Sequence, residues 1–117
     1  MSLQKVIDYC SQKKGATREF PFDDTTLVFK VMNKMFCLIN LTVPYSINLK
    51  CDPVYAVAIR QKHPAVTPGY HMNKKHWNTV QLDQSIGHPQ IFEWIDDSYD
   101  LIVAGLKKSD RDHLSSL

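Results

Sequence analysis

"LVFKVMNKMFCLIN", residues 27–40, holds two runs rich in β-branched and aromatic residues with Asn33-Lys34 between them. Such runs favour extended backbone, and asparagine tolerates the positive φ of a tight turn, so the stretch predicts an antiparallel hairpin of 27–32 and 35–40. Downstream, "SINLK" at 46–50 alternates polar and apolar residues and predicts a third strand after the loop around Pro44. Upstream, "REFPF" predicts a weak first strand, and "WNTVQL" at 77–82 alternates again after a turn at "TPGYH" that leads from or into a short strand.

Helical periodicity frames these strands. Leu3, Val6, Ile7 and Cys10 fall at i, i+3, i+4 and i+7, with Ser2 placed to cap the start and Gly15 where a C-terminal cap belongs. Asp52-Pro53 marks a second helix that runs to about His63, where Pro64 stops it. Arg60, Lys62 and His63 then crowd its last turn, where the helix dipole favours positive charge. Pro89 opens a long helix that turns Ile91, Ile95, Tyr99, Ile102 and Leu106 inward and Glu93, Asp96, Asp97 and Asp100 outward. Ser109 with Asp112 hints at a capped tail helix.

The order is α-β-β-β-β-α-β-β-α, and helices covering one face of an antiparallel sheet make a two-layer α+β fold. At 117 residues, 44% of them hydrophobic, the chain is long enough for one cored domain spanning 1–117. Lysine and aspartate interrupt the stretch where a signal peptide needs an apolar run, and no stretch approaches the ~20 apolar residues of a membrane helix, so a cytoplasmic monomer is expected. Cys10, Cys37 and Cys51 are odd in number with no CxxC pair and read as reduced, core-filling thiols.

Charge is uneven although the net value is only +2. Residues 50–82 carry Lys50, Arg60, Lys62, Lys74 and Lys75 against Asp52 alone, whereas residues 83–100 carry five acids and no lysine or arginine. No GxSxG, HExxH or phosphate-binding glycine loop occurs, so neither an enzyme nor a cofactor is expected. His71 and His76, five residues apart in a turn, have no familiar coordinating geometry, so no metal is expected either.

The basic segment contains "PGYHMNKKHWNTV", residues 68–80. If Val80 and Leu82 face the core, the two-residue period puts Trp77, Thr79 and Gln81 on the other side of the sheet. There an indole flanked by His71, Asn73, Lys74 and Lys75 suits a nucleic-acid surface: lysines for phosphate charge, amide and imidazole for directional hydrogen bonds, the ring for stacking. Equally, Trp77 plugs the sheet against a loop and the lysines are merely solvated.

"CDPVYAVAIRQKHPAVTPGYHMNKKHWNTVQLD", the later "SYDLIVAGL" and the opening "YCSQKKGATREFPFDDTTLVFKVMNKMF" together resemble the MmcQ/YjbR family of bacterial proteins over nearly the whole chain. The resemblance implies a CyaY-like α+β fold with a "double wing" arrangement for which the family is described as DNA-binding. The family's signature positions fall on His71, Asn73, Lys74, His76 and Trp77, and on Ser98 and Tyr99 in the last helix. The expectation is a non-enzymatic DNA-binding module, weak and largely blind to sequence, using Arg60, Lys62, His71, Asn73, Lys74, Lys75, His76 and Trp77. The competing expectation is a module for a small anionic ligand or a protein, in which "YHMNKKHW" is mainly a structural clasp.

Overall fold

A computed structural model describes residues 2–69 and 72–117. The elements are α1 (Ser2–Ser11), β1 (Ala16–Glu19), β2 (Thr26–Val31), β3 (Lys34–Asn40), β4 (Ser46–Lys50), α2 (Pro53–Lys62), β5 (Val66–Pro68), β6 (Trp77–Gln81), α3 (His88–Ala104) and α4 (Lys108–Ser115). All strand pairings are antiparallel, in the spatial order β1-β2-β3-β4-β6-β5. The fold is α+β, with the main core between the sheet and the helices.

The hairpin turn falls one residue earlier than expected, on Met32-Asn33, whose φ values are 47° and 67°. Two successive positive φ angles are the mark of a two-residue turn that matches strand twist. Core demand explains the shift: Val31 is fully buried and pairs with Lys34, so both belong to the strands.

A register shift follows: Phe29 pairs with Cys37 and Lys30 with Met35, leaving Phe36 as the extra residue of a β-bulge. Phe36 and Cys37 are both buried in the main core as a result. On this face also lie Leu27, Phe29, Ile47, Leu49 and Val80, covered by Val6 and Cys10 of α1 and by Ile91, Trp94 and Ile95 of α3.

The inward face of α3 is wider than the expected stripe, taking in Trp94 and Ser98 while Tyr99 and Ile102 are only half-buried. Its acidic face is not wholly solvated either. Asp96 accepts a 2.7 Å hydrogen bond from the Tyr9 hydroxyl and an ion pair from Lys13, joining α3 to α1. That bond to Asp96, followed by burial, pushes the Tyr9 hydroxyl pKa up to about 12.

Three boundary features depart from expectation. Helix α1 ends at Ser11, and Gly15, at φ 73°, serves instead as the turn into β1, where an added Cβ would lie 2.5 Å from Leu114. The first strand is "ATRE", not "REFPF", which leaves Phe20 and Phe22 exposed in the following loop. Ser109 lies inside α4, which is capped by no side chain, and Asp112 pairs with Lys108 at 2.9 Å.

All three cysteines are buried and unpaired. A hydrogen bond with Cys10, followed by burial, holds the Cys37 thiol well above its ordinary pKa. No helix among the described residues is long and apolar enough to cross a membrane.

Candidate functional site

The basic segment is built on α2. Asp52 caps it as expected, its carboxylate accepting from the amides of Val54 and Tyr55, both at 3.1 Å. At its other end the helix presents Arg60 and Lys62 in its last turn. His63 ends the helix and sets its ring edge-on to Trp94, 5.3 Å between centroids.

Arg60 does not face solvent alone. Its Nη1 donates to Asn78 Oδ1 at 2.9 Å and to the Lys74 carbonyl at 3.2 Å, tying α2 both to β6 and to the turn before it. Asn78 is 3% exposed and its Nδ2 donates in turn to the Ala56 carbonyl. A buried amide without partners costs free energy, so the two residues need each other. Asn78 was absent from the expected site, yet the alternation that points Val80 at the core points Asn78 there too. A polar residue at a core position was the available signal.

The turn carrying the lysines is closed on itself. Asn73 Oδ1 accepts from the Lys75 amide at 3.0 Å, and the Asn73 carbonyl accepts from the amides of His76 at 3.1 Å and Trp77 at 2.9 Å. The side chain thereby stands in for backbone, as asparagine commonly does in turns. The His76 carbonyl accepts from the Cys51 amide at 2.7 Å, and the Trp77 carbonyl from the Gly69 amide at 2.7 Å, so the loop is pinned at both ends.

Trp77 sits on the side of the sheet that alternation assigns to it, but its ring is not open. It is 8% exposed and packs with Val28 and Leu38, with half-buried Met35 and Met72 against them, in a second, smaller core. Gly69 crosses Trp77 so closely that an added Cβ would lie 2.7 Å from the Trp77 Cβ. The indole is therefore a plug beneath the loop, with no free face for stacking.

Ser98 and Tyr99 are also occupied structurally. The fully buried Ser98 hydroxyl donates to the Phe36 carbonyl and accepts from the Lys50 amide, and the Tyr99 hydroxyl donates to the Lys14 carbonyl. Lys62, Lys74 and Lys75, by contrast, are exposed and form no ion pair among the described residues. Of the eight expected contacts, then, Arg60, Asn73 and Trp77 are engaged within the fold, the His76 backbone is pinned, and His71 lies outside the described residues. The described residues contain no group of three His, Cys, Asp or Glu side chains able to hold a metal.

Beside this patch, Cys51 and Asp97 line one small cavity together with Asn78 and Trp94. Burial, then the charge of Asp97, raises the Cys51 thiol to about 11, so it is protonated and unreactive at neutral pH. Burial, then the charges of Glu93, Asp100 and Asp96, pushes the Asp97 carboxyl above its ordinary value.

Comparison with known proteins matches residues 11–101 to the YjbR family model. An uncharacterized protein named YjbR from Escherichia coli K12 is 33% identical over the full length of both chains. YbdF from Escherichia coli O157:H7, likewise uncharacterized, is 42% identical over 79% of this chain and 76% of its own. The crystal structure of Deinococcus radiodurans DR2400 superposes with a TM-score of 0.89 at 37% identity, covering 97% of this chain and 88% of that one. A Pseudomonas syringae protein superposes at 0.75 and 30% identity, covering 86% and 98% respectively. With the family model matching residues 11–101 and a relative 33% identical over its full length, the chain belongs to the YjbR family.

Proposed function

We propose that this chain is a non-enzymatic module that binds the phosphate backbone of DNA weakly and without sequence preference, through Lys62, Lys74 and Lys75. The observation that carries the reading is the Arg60 bridge. By bonding to the Lys74 carbonyl it ties the last turn of α2, which carries Lys62, to the lysine turn, and all three exposed lysines are without carboxylate partners among the described residues. Lysines on a pinned turn contact phosphates at little conformational cost. The role of Trp77 and Asn73 is to hold that turn, not to touch the nucleic acid.

Three contacts of this kind give modest affinity with a log–log salt slope of about −0.9 each, or about −3 in total. Binding of a fluorescent duplex at a series of salt concentrations tests this. Replacing Lys74 and Lys75 by alanine should flatten the slope by about two.

A further inference from the structure

The helix-free face of the sheet contains a groove of about 510 Å³, the size of a small-molecule site. Its floor is formed by alternate residues of the central strands, among them Leu38, Ser46 and Asn48. Its flanks are Phe22, from the loop after β1, and Met72, from the loop before β6. Phe22 is 64% exposed, an aromatic ring left in water at the lip of a concavity.

The polar groups on the floor are unequally satisfied. Asn48 Oδ1 accepts from the Thr79 hydroxyl at 2.5 Å, which fixes the amide and leaves its Nδ2 donors without a partner among the described residues. The Ser46 hydroxyl, on a residue only 8% exposed, is equally without a hydrogen bond among the described residues. These two groups, two residues apart on one strand, open onto the groove and are free to bond a ligand there in place of water.

Charge narrows the class. The one ionisable side chain among the described lining residues is Asp23, and its carboxylate is already engaged by the amides of Thr25 and Thr26 at 2.9 and 2.7 Å. With no cation among the described lining residues, an anion is disfavoured here, so this groove is distinct in chemistry from the lysine patch. Apolar flanks of Phe22 and Met72 suit a flat ring with two apolar faces, while Asn48 and Ser46 suit a ring edge bearing hydrogen-bonding atoms.

We infer that the groove is a binding site for an uncharged planar nitrogen heterocycle of the nucleobase class, held face-on by Phe22 and Met72 and by its edge at Asn48 and Ser46. The ring can come from a free nucleoside or from an unpaired base in a strand. Recognition by a fixed side-chain amide and a hydroxyl adds direction to a contact whose affinity comes mainly from the apolar faces.

Titration with adenosine, followed by NMR of the Met72 methyl, the Phe22 ring and the Asn48 side-chain amide, tests the assignment. Saturable shifts confined to these groups are expected. Phe22→Ala, at an exposed position that leaves the fold intact, should weaken binding about tenfold. Asn48→Ala should weaken it about fivefold. A short single-stranded dA oligomer, added in a second arm, places the ring in a strand if it binds more tightly than adenosine and as a free nucleoside if it does not. No shift at these groups with either probe, or binding unaffected by Phe22→Ala, would overturn the inference. Adenosine carries no phosphate, so its result is independent of whether Lys74 and Lys75 bind DNA.

Discussion

The Ser98 hydroxyl donates to the Phe36 carbonyl at 2.6 Å, at the residue where the β3 bulge breaks the ladder. It also accepts from the Lys50 amide at 2.9 Å, so one buried hydroxyl from α3 bridges β3 and β4 just beyond Cys37–Leu49, where their pairing ends. Without it, a donor and an acceptor are stranded in the interior. Ser98→Ala should therefore cost about 2–4 kcal/mol, far more than an exposed serine, and this is checked by chemical denaturation. Ser98→Thr, which keeps the hydroxyl but adds a methyl to a full site, should be destabilised too, through overpacking.

Trp77 behaves as core. Trp77→Ala should lose about 3–5 kcal/mol, as large-to-small changes in cores do. Gly69→Ala should also destabilise, because its Cβ would meet both the Trp77 side chain at 2.7 Å and the Trp77 carbonyl oxygen at 3.0 Å. Since Trp77 and Trp94 are both buried, the protein's tryptophan emission should be blue-shifted and poorly quenched by acrylamide. Emission resembling free tryptophan, or ready quenching, would contradict the packing.

Arg60 and Asn78 form a coupled pair. Removing Asn78 leaves the guanidinium short of an acceptor, and removing Arg60 leaves a buried carbonyl oxygen unpaired, so each alanine substitution should cost about 1.5–3 kcal/mol. A double-mutant cycle measured by denaturation should give a coupling energy of about 1 kcal/mol or more. Additive effects would show that the bond contributes nothing.

Asp97 makes stability depend on pH in an identifiable direction. Its folded-state pKa is raised by burial and then by Glu93, Asp100 and Asp96, so the folded chain holds that proton more tightly than the unfolded one. Its favourable contribution is complete below the unfolded pKa of about 3.9 and is lost as pH rises through the folded value. At neutral pH the ionised carboxylate is thus a burden. Asp97→Asn should raise the Tm at pH 7, with the gain shrinking as the pH approaches 3; thermal melts at both pH values check it.

Much of the fold was legible because local chemistry and global packing agree. "SINLK" is a strand at the residues expected, and Asp52-Pro53 starts a helix through the cap that its sequence implies. The hairpin was misplaced by one residue because asparagine's tolerance of positive φ marks a turn without saying which side of it Asn33 occupies; the burial of Val31 decides that. The bulge at Phe36 was not legible, since two adjacent core residues break the alternation that strand reading uses.

The site was legible in position more than in role. Alternation put Trp77 on the correct side of the sheet, but whether that side is covered depends on contacts with Val28 and Leu38 that are distant in sequence. Arg60 read as a dipole-favoured surface cation, and only its bond to Asn78, across eighteen residues, shows it to be a bridge. The groove floor was invisible because Leu38, Ser46 and Asn48 converge only when β3 and β4 pair.

If the lysines serve phosphates, they should be dispensable for folding. Lys62→Ala, Lys74→Ala and Lys75→Ala should each change stability by no more than about 0.5 kcal/mol, as expected of exposed positions. Equilibrium denaturation separates them cleanly from Arg60, Asn78 and Ser98.

The most direct test is the salt dependence of duplex binding, measured by fluorescence anisotropy on the natural chain and on the triple variant Lys62→Ala, Lys74→Ala, Lys75→Ala. The account predicts a log–log slope of about −3 for the natural chain, and for the variant loss of binding with an unchanged melting temperature. Salt-insensitive binding, no binding at low ionic strength, or a triple variant that binds as well as the natural chain would contradict it.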